Sequence, residues 1–256
     1  MKLLKAMAIA FSIYSKIPVP QFEWKEEDME YMMCFFPWIG GVIGLFFFGW
    51  AVLCEKFAVG NVCYALIRAA IPLMISGGFH VDGYMDTMDA FHSYQSREKK
   101  LEILKDSHIG AFAAIMLALY YMIDIAAISE IHTQKAVSAL AAVFFLARCF
   151  SGIAVMTLQP AKKEGLLYTF ASSAQKVMVK AALYFQAALC VVLMLLVSGW
   201  YGAAAIGAAL LSFFYFKKKS YKELGGITGD TAGFFVTVCD CLLYTSPSPR
   251  DGATSR

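Results

Sequence analysis

The chain has 256 residues, 59% of them hydrophobic and 16% charged, against about 45–50% and about 25% in an average soluble domain. The apolar excess falls in blocks near the ~20 residues that cross a bilayer, which argues against a water-soluble protein with a large buried core. The net charge of +3 says little by itself, and no nucleic-acid partner is expected.

The N-terminal stretch "MKLLKAMAIAFSIYSKIPVP" has the charged and apolar parts of a signal peptide. It lacks a convincing small-residue cleavage site and ends in two prolines, and Lys16 argues against a full span. It reads as an amphipathic or re-entrant segment at the membrane surface. Apolar spans follow at 36–54, 62–79, 110–129, 136–157, 179–198 and 200–216. Only "SG" separates the last two, which predicts a tight helical hairpin. A spanning segment must satisfy its own backbone hydrogen bonds, so the expected fold is all-α: a polytopic membrane bundle of about six to seven helices. The cysteines, at 34, 54, 63, 149, 190, 239 and 241, include no CxxC pair and are odd in number. They read as buried thiols rather than disulfides or a zinc site.

Basic residues crowd one side of this topology. Lys2, Lys5, Lys16 and Lys25 precede the first span; Arg97, Lys99, Lys100 and Lys105 follow the second. Lys162, Lys163, Lys176 and Lys180 follow the fourth, and Lys217, Lys218, Lys219 and Lys222 the sixth. The opposite loops hold only Lys56 and Lys135. Basic loops stay cytoplasmic. The pattern therefore places the loops 80–109, 158–178 and 217–231 together on the cytoplasmic face of a cell (inner) membrane.

The first of these loops begins "GGFHVDGYMDTMDAF". Asp82, Asp86 and Asp89 have the spacing i, i+4, i+7, which puts them within a narrow wedge of one helix. Like charges at i, i+4 oppose a helix, and a carboxylate deep in a bilayer costs roughly 2.5–3.5 kcal/mol or more. A divalent cation removes both penalties, and oxygen-only ligands point to Mg2+. Gly77, Gly78 and Gly83 imply close backbone approach. Next comes "REKKLEILKDSHIGAF", read as a short amphipathic helix and a polar turn. There Arg97, Lys105 and His108 are candidate phosphate ligands and Asp106 a metal ligand or base. "GGITGDTAGFF" at 225–235 is a glycine-rich loop entering a helix. Its free amides are candidates to cradle an anion, with Asp230 facing a metal or hydroxyl. Asp124, alone in "YYMIDIAAIS", reads as a helix–helix contact.

In order along the chain, "YSKIPVP", "FPWIGGVIG", "GGFHVDGYMDTMDAF", "REKKLEILKDSHIGAF", "KKEGL" and "GGITGDTAG" resemble the cobalamin synthase family, the adenosylcobinamide-GDP ribazoletransferases. The resemblance implies an integral membrane transferase domain over 1–240. It implies a magnesium-dependent reaction of cobalamin biosynthesis. In that reaction alpha-ribazole or its 5'-phosphate joins adenosylcobinamide-GDP, with release of GMP. On this reading Asp82, Asp86 and Asp89 hold one or two magnesium ions. His80, Asp106, His108 and Asp230 are the catalytic candidates, with His80 or His108 as general base. Substrate contacts are expected from Arg97, Lys105, Ser107, Lys162, Lys163, Gly225, Gly226 and Thr228. Arg148, inside an apolar span, matches a family arginine and reaches a phosphate or pairs with an acidic residue. The partners are these small molecules and the lipid bilayer; a homo-oligomer is left open.

The end of the chain departs from the family pattern. Thr237 stands where a glutamate is expected, with Asp240 near a second such position. The tail 241–256, ending "TSPSPRDGATSR", reads as disordered or as a non-native scar after a truncated last helix. Two rival readings differ in class. A CDP-alcohol phosphotransferase also groups aspartates on membrane helices, but Thr87 stands where its motif has glycine. A cation-coupled transporter requires mid-bilayer carboxylates and inverted repeats, and neither is visible.

Overall fold

The computed structural model describes residues 2–20, 25–162 and 164–242. Among them run eleven α-helices: α1 (Lys2–Tyr14), α2 (Phe36–Lys56), α3 (Asn61–Ser76), α4 (Phe79–His92), α5 (Arg97–Ile103), α6 (Ala111–Ile128), α7 (Gln134–Thr157), α8 (Leu166–Ser173), α9 (Lys176–Ser198), α10 (Trp200–Leu224) and α11 (Gly229–Leu242). Two short 3-10 turns, Glu26–Met29 and Met32–Cys34, lead into α2. The only strand-like pairing among the described residues is an isolated bridge between Pro160 and Ile227. Lys163 and residues 243–256, which include nearly all of the expected tail, lie outside the described residues.

The bundle is built around α7, which packs against α2, α9, α10 and α11. The most apolar stretch of α7 is 72% buried, against 17% for α6 and 28% for α9. Small residues permit this. Gly40 and Gly44 of α2 lie against the carbonyls of Phe144 and Ala141, leaving no room for a Cβ at either glycine. That is the small-xxx-small packing by which membrane helices approach closely. The outer helices carry exposed apolar side chains instead, among them Leu45, Met74, Met122, Phe185, Leu196 and Leu211. A belt of this extent marks the surface that faces lipid.

Among the described residues four helices are long and apolar enough to cross a membrane: Met32–Lys56, α6, α7 and α9. A fifth span is counted if α3 and α4 are taken as one bent element. This is fewer than six or seven. Helix α10 has 25 residues but falls short in hydropathy, because its apolar part is rich in Gly and Ala and runs into "KKKSYKEL". The expected span 62–79 ends at Ser76, since Gly77 and Gly78 both adopt positive φ (65° and 86°), a conformation open to glycine at little cost. The chain turns there by 97° into α4. The Lys16 side chain occupies the space beside Gly77, and the Lys16 amide donates to Ile75 O at 2.8 Å.

The two ends of the bundle are tied by different loops. At one end Lys100 pairs with Glu223 at 2.5 Å and Lys105 with Glu164 at 2.6 Å. There Lys162 Nζ also donates to Leu101 O at 2.6 Å, and the backbones of 159–161 and 227 exchange hydrogen bonds. The loops after α4, α7 and α10 therefore meet at one end, as the topology predicts. At the other end Asn61 Nδ2 donates to Ser129 O at 3.1 Å, and Tyr64 hydrogen-bonds Ile131 O.

Candidate active site

Where the three loops meet, a cavity of about 550 Å³ opens between α1, α4, α8 and α11. Its polar part is lined by Asp82, Lys105, Lys162, Glu164, Thr228 and Asp230. Asp82 lies in the first turn of α4, where the helix dipole favours an acid. Asp230 occupies the corresponding place in α11. The start of α11 is capped by Thr228, whose Oγ1 accepts from Thr231 N at 3.1 Å and donates to Asp230 Oδ2 at 3.3 Å.

Gly83 brings the two helices together. A Cβ added there would stand 2.9 Å from Asp230 O and 3.0 Å from Asp230 Cα, so only glycine lets the start of α11 rest on α4 beside Asp82. This juxtaposition joins residues about 150 positions apart in sequence. Asp86 stands within electrostatic reach of Asp82, Asp89 and Asp230, and the Asp89 carboxylate lies against Gly110. Neither Asp86 nor Asp89 lines the cavity. Among the described residues no three His, Cys, Asp or Glu side chains converge tightly enough to enclose a metal ion by themselves. The donor set is hard oxygen on two facing helices. It fits a cation such as magnesium, which commonly takes one or two carboxylates and completes its shell with water and phosphate.

Burial pushes the Asp230 carboxyl above the ordinary carboxylate range, with the charge of Asp82 adding to it. Burial and the neighbouring Lys105 charge lower the Lys162 ammonium. Acid on one wall and ammonium on the other suit a substrate that carries both a phosphate and a hydroxyl.

His80 lies in the same cavity, 5% exposed, among the rings of Tyr14, Phe36 and Phe79. Neither of its ring nitrogens has a hydrogen-bond partner among the described residues. Asp106 and His108 are elsewhere. They form an exposed pair, Nδ1 to Oδ1 2.6 Å apart, which holds the Asp106 carboxyl below its usual range. Neither they nor Ser107 line the cavity. The Arg97 guanidinium fills the space beside Gly225, next to the glycine loop but off the cavity wall. Lys163 is among the residues that the structure does not describe.

The glycine loop differs from the expected cradle of free amides. Gly225 N donates to Tyr221 O at 3.0 Å and Ile227 N to Gln159 O at 3.0 Å. Thr228 N donates to Thr231 Oγ1 at 2.8 Å. These three amides are taken by α10, by the loop after α7 and by the first turn of α11. Gly226 is small because the backbone of 159–161 passes where its Cβ would stand, and Gly225 caps α10 at φ 73°. The loop lines the cavity with Ile227, Thr228, Gly229 and Asp230.

Arg148 is buried and takes the second of its two expected roles. Its Nη1 donates to Phe144 O at 2.8 Å and lies 3.7 Å from Asp240 Oδ2. It does not line the main cavity. Thr237 Oγ1 donates to His80 O at 3.1 Å, so both positions that depart from the family pattern make internal contacts of α11. Asp124 is likewise buried and close to Cys241 and Asp240, a contact between α6 and α11.

Sequence reasoning did not single out the apolar wall of the cavity, formed by Tyr14, Met33, Phe36, Val155, Leu167 and Phe170. Nor did it single out Glu164, the counter-ion of Lys105. The signal was present: Tyr14 lies in "YSKIPVP", Phe36 in "FPWIGG" and Glu164 in "KKEGL".

Fold and site together define a helical membrane protein whose terminal cavity sets carboxylates from two helices opposite lysines, above an aromatic floor. The chain belongs to the cobalamin-5-phosphate synthase family, whose model matches residues 6–246. It is 43% identical over 242 residues to an adenosylcobinamide-GDP ribazoletransferase of Lachnoclostridium phytofermentans, covering 94% of this chain and 92% of that protein. It is 31% identical over 240 residues to the protein of the same name from Clostridium botulinum, covering 92% and 94%. No solved structure matches the chain.

Proposed function

We propose that this protein is an adenosylcobinamide-GDP ribazoletransferase. It joins alpha-ribazole or its 5'-phosphate to adenosylcobinamide-GDP and releases GMP. The observation that carries the reading is the meeting of Asp82 and Asp230 with Lys105 and Lys162 in one cavity, in a chain of this family. In the reaction a ribose hydroxyl oxygen attacks the cobinamide-side phosphorus of the diphosphate. A new phosphodiester bond forms, the anhydride bond breaks, the leaving oxygen departs on GMP, and the hydroxyl proton passes to the Asp230 carboxylate and on to solvent. Such chemistry depends on positioning and charge neutralisation more than on a covalent nucleophile.

Lys105 and Lys162 bind and orient the diphosphate. Asp230, held by Thr228, faces the attacking hydroxyl. Asp82, with Asp86 and Asp89 behind it on the same helix, holds magnesium together with Asp230. When bound, the ion neutralises charge on the transferring phosphoryl group. Residues 1–240 act as one integral membrane unit in the cell membrane, with this end of the bundle in the cytoplasm, where the basic loops belong. The test is GMP release by the membrane-embedded protein from adenosylcobinamide-GDP. Release is expected only with both alpha-ribazole (or its phosphate) and magnesium present. Release without ribazole, or none under any of these conditions, overturns the proposal.

A further inference from the structure

The mechanism above leaves half of the cavity unused. Below the lysines and carboxylates the walls are aromatic and close-packed. The rings of Tyr14 and Phe36 are 4.6 Å apart between centroids, and Phe36 and His80 are 5.7 Å apart with planes only 17° from parallel. Phe170 stands 6.2 Å from Tyr14. Within this greasy setting the imidazole of His80 has both nitrogens unpartnered among the described residues. Leaving such a group buried without a partner costs free energy, which a ligand removes if it supplies the missing bond.

The same imidazole also lines a second, much smaller chamber of about 20 Å³, together with Asp124, Arg148, Thr237 and Asp240. That is room for one water. Arg148 Nε in this chamber lacks an acceptor among the described residues. A guanidinium only donates, and Asp240 Oδ1 in the same chamber lacks a donor among the described residues, so these two answer each other, directly or through that water. The imidazole is left without a protein partner among the described residues, and its N–H is available to a ligand in the main cavity.

We infer that the aromatic half of the cavity is the seat of a planar, apolar, bicyclic heteroaromatic base bearing one acceptor nitrogen, and that His80 donates to that nitrogen. Resting on the function proposed above, this is the base of alpha-ribazole, a dimethylbenzimidazole with one such nitrogen. Its ribose then lies toward Asp82 and Asp230, where the attacking hydroxyl is needed. The other substrate fits this half less well. Guanine carries polar atoms along both edges and would leave several unpaired against Phe36, Leu167 and Phe170. The corrinoid, far larger than a ribazole, stays at the open, lysine-lined end.

The experiment measures binding rather than turnover. The full-length protein in lipid nanodiscs is titrated with alpha-ribazole, with the matching dimethylindole riboside (a C–H in place of the acceptor nitrogen), and with GMP as competitor. Wild type is expected to prefer alpha-ribazole over the indole analogue by on the order of tenfold, the value of one net hydrogen bond. His80→Leu is expected to bind both alike, and His80→Gln, which retains a donor, to restore part of the preference. Phe170→Ala should weaken both ligands in parallel. The preference is a ratio within one protein, so it is independent of yield or partial unfolding. If the His80 variants do not fold, the wild-type ratio and Phe170→Ala still decide. Equal wild-type affinities, a preference kept in His80→Leu, ribazole binding untouched by Phe170→Ala, or displacement of ribazole from the wild type by GMP at comparable concentration would each overturn the inference. GMP release by the wild type is followed separately. Its absence sinks the proposed function, whereas its presence with no benzimidazole preference sinks only the base site.

Discussion

Replacing Gly83 by alanine sets two effects of known sign against each other. Position 83 is inside α4, where helix propensity alone favours alanine over glycine by about 1 kcal/mol. The new Cβ, however, would stand 2.9 Å from Asp230 O and 3.0 Å from Asp230 Cα. Ordinary contact begins at 3.4 Å, so α11 must retreat by about 0.5 Å, the difference between 3.4 and 2.9. The obstacle is backbone and cannot rotate away. Overpacking of this kind costs about 1–3 kcal/mol. Net stability should therefore fall by no more than about 2 kcal/mol, while the retreat carries Asp230 away from Asp82. A misplacement of 1 Å costs a reaction roughly 10²-fold, so about half that distance should cost on the order of tenfold in GMP release. Gly49→Ala is the comparison, because no atom lies within 4 Å of its added Cβ; there stability should rise slightly and activity stay unchanged. The assay pairs GMP release with thermal unfolding of the two variants. Full activity in Gly83→Ala at undiminished stability would show that α11 is not seated on α4 as described.

Asp82→Asn and Asp230→Asn should each lower turnover by on the order of 10²-fold, the scale of losing one electrostatic stabiliser, and raise the magnesium concentration needed; magnesium titrations of GMP release check this. Burial and Lys105 lower the Lys162 ammonium, so its charge disappears at a lower pH than that of a free lysine. The KM for adenosylcobinamide-GDP should rise early on the alkaline side, and Lys162→Arg should postpone the rise in a pH series. Asp240→Leu leaves Arg148 buried without its counter-charge and should cost about 3–5 kcal/mol, read by thermal unfolding; replacing both residues by apolar ones should recover much of the loss. An impermeant thiol reagent outside intact cells should label Thr133→Cys but not Gln95→Cys; labelling of the latter would invert the proposed orientation.

The helices were legible because lipid punishes any unpaired backbone, so apolar blocks leave little choice of structure. The grouping of three loops at one end was legible too, since the lysines mark their side and Lys100–Glu223 and Lys105–Glu164 now tie them together. The placement of Asp230 beside Asp82 followed from topology, with Gly83 as its physical enabler. What periodicity could not supply was partner choice. Asp106 and His108 sit two residues apart and bond each other locally, so they do not line the cavity although Lys105 beside them does. Arg148 found Asp240 on a helix whose register no window analysis gives. The glycine loop looked like an anion cradle, but the amides of Gly225, Ile227 and Thr228 are taken by Tyr221 O, Gln159 O and Thr231 Oγ1. The bend at Gly77–Gly78 was hidden within a continuous apolar run, because two glycines adopt left-handed backbone at no cost in hydropathy.

One feature of the cavity governs how such a protein comes into being. Its walls draw Tyr14 from the first helix and Asp230 from the eleventh. No contiguous fragment that lacks either end of the chain can enclose it. During synthesis α1 emerges long before the end of α3, to whose Ile75 the Lys16 amide is fastened, and α11 emerges after the other ten described helices. The site is thus assembled only once α11 has joined the bundle, so a chain stalled before it carries a lysine-rich surface but no enclosed chamber beneath it. Severing the chain in the opposite loop, between α6 and α7, leaves each half with one set of walls. Coexpressing the two halves should restore what neither contains.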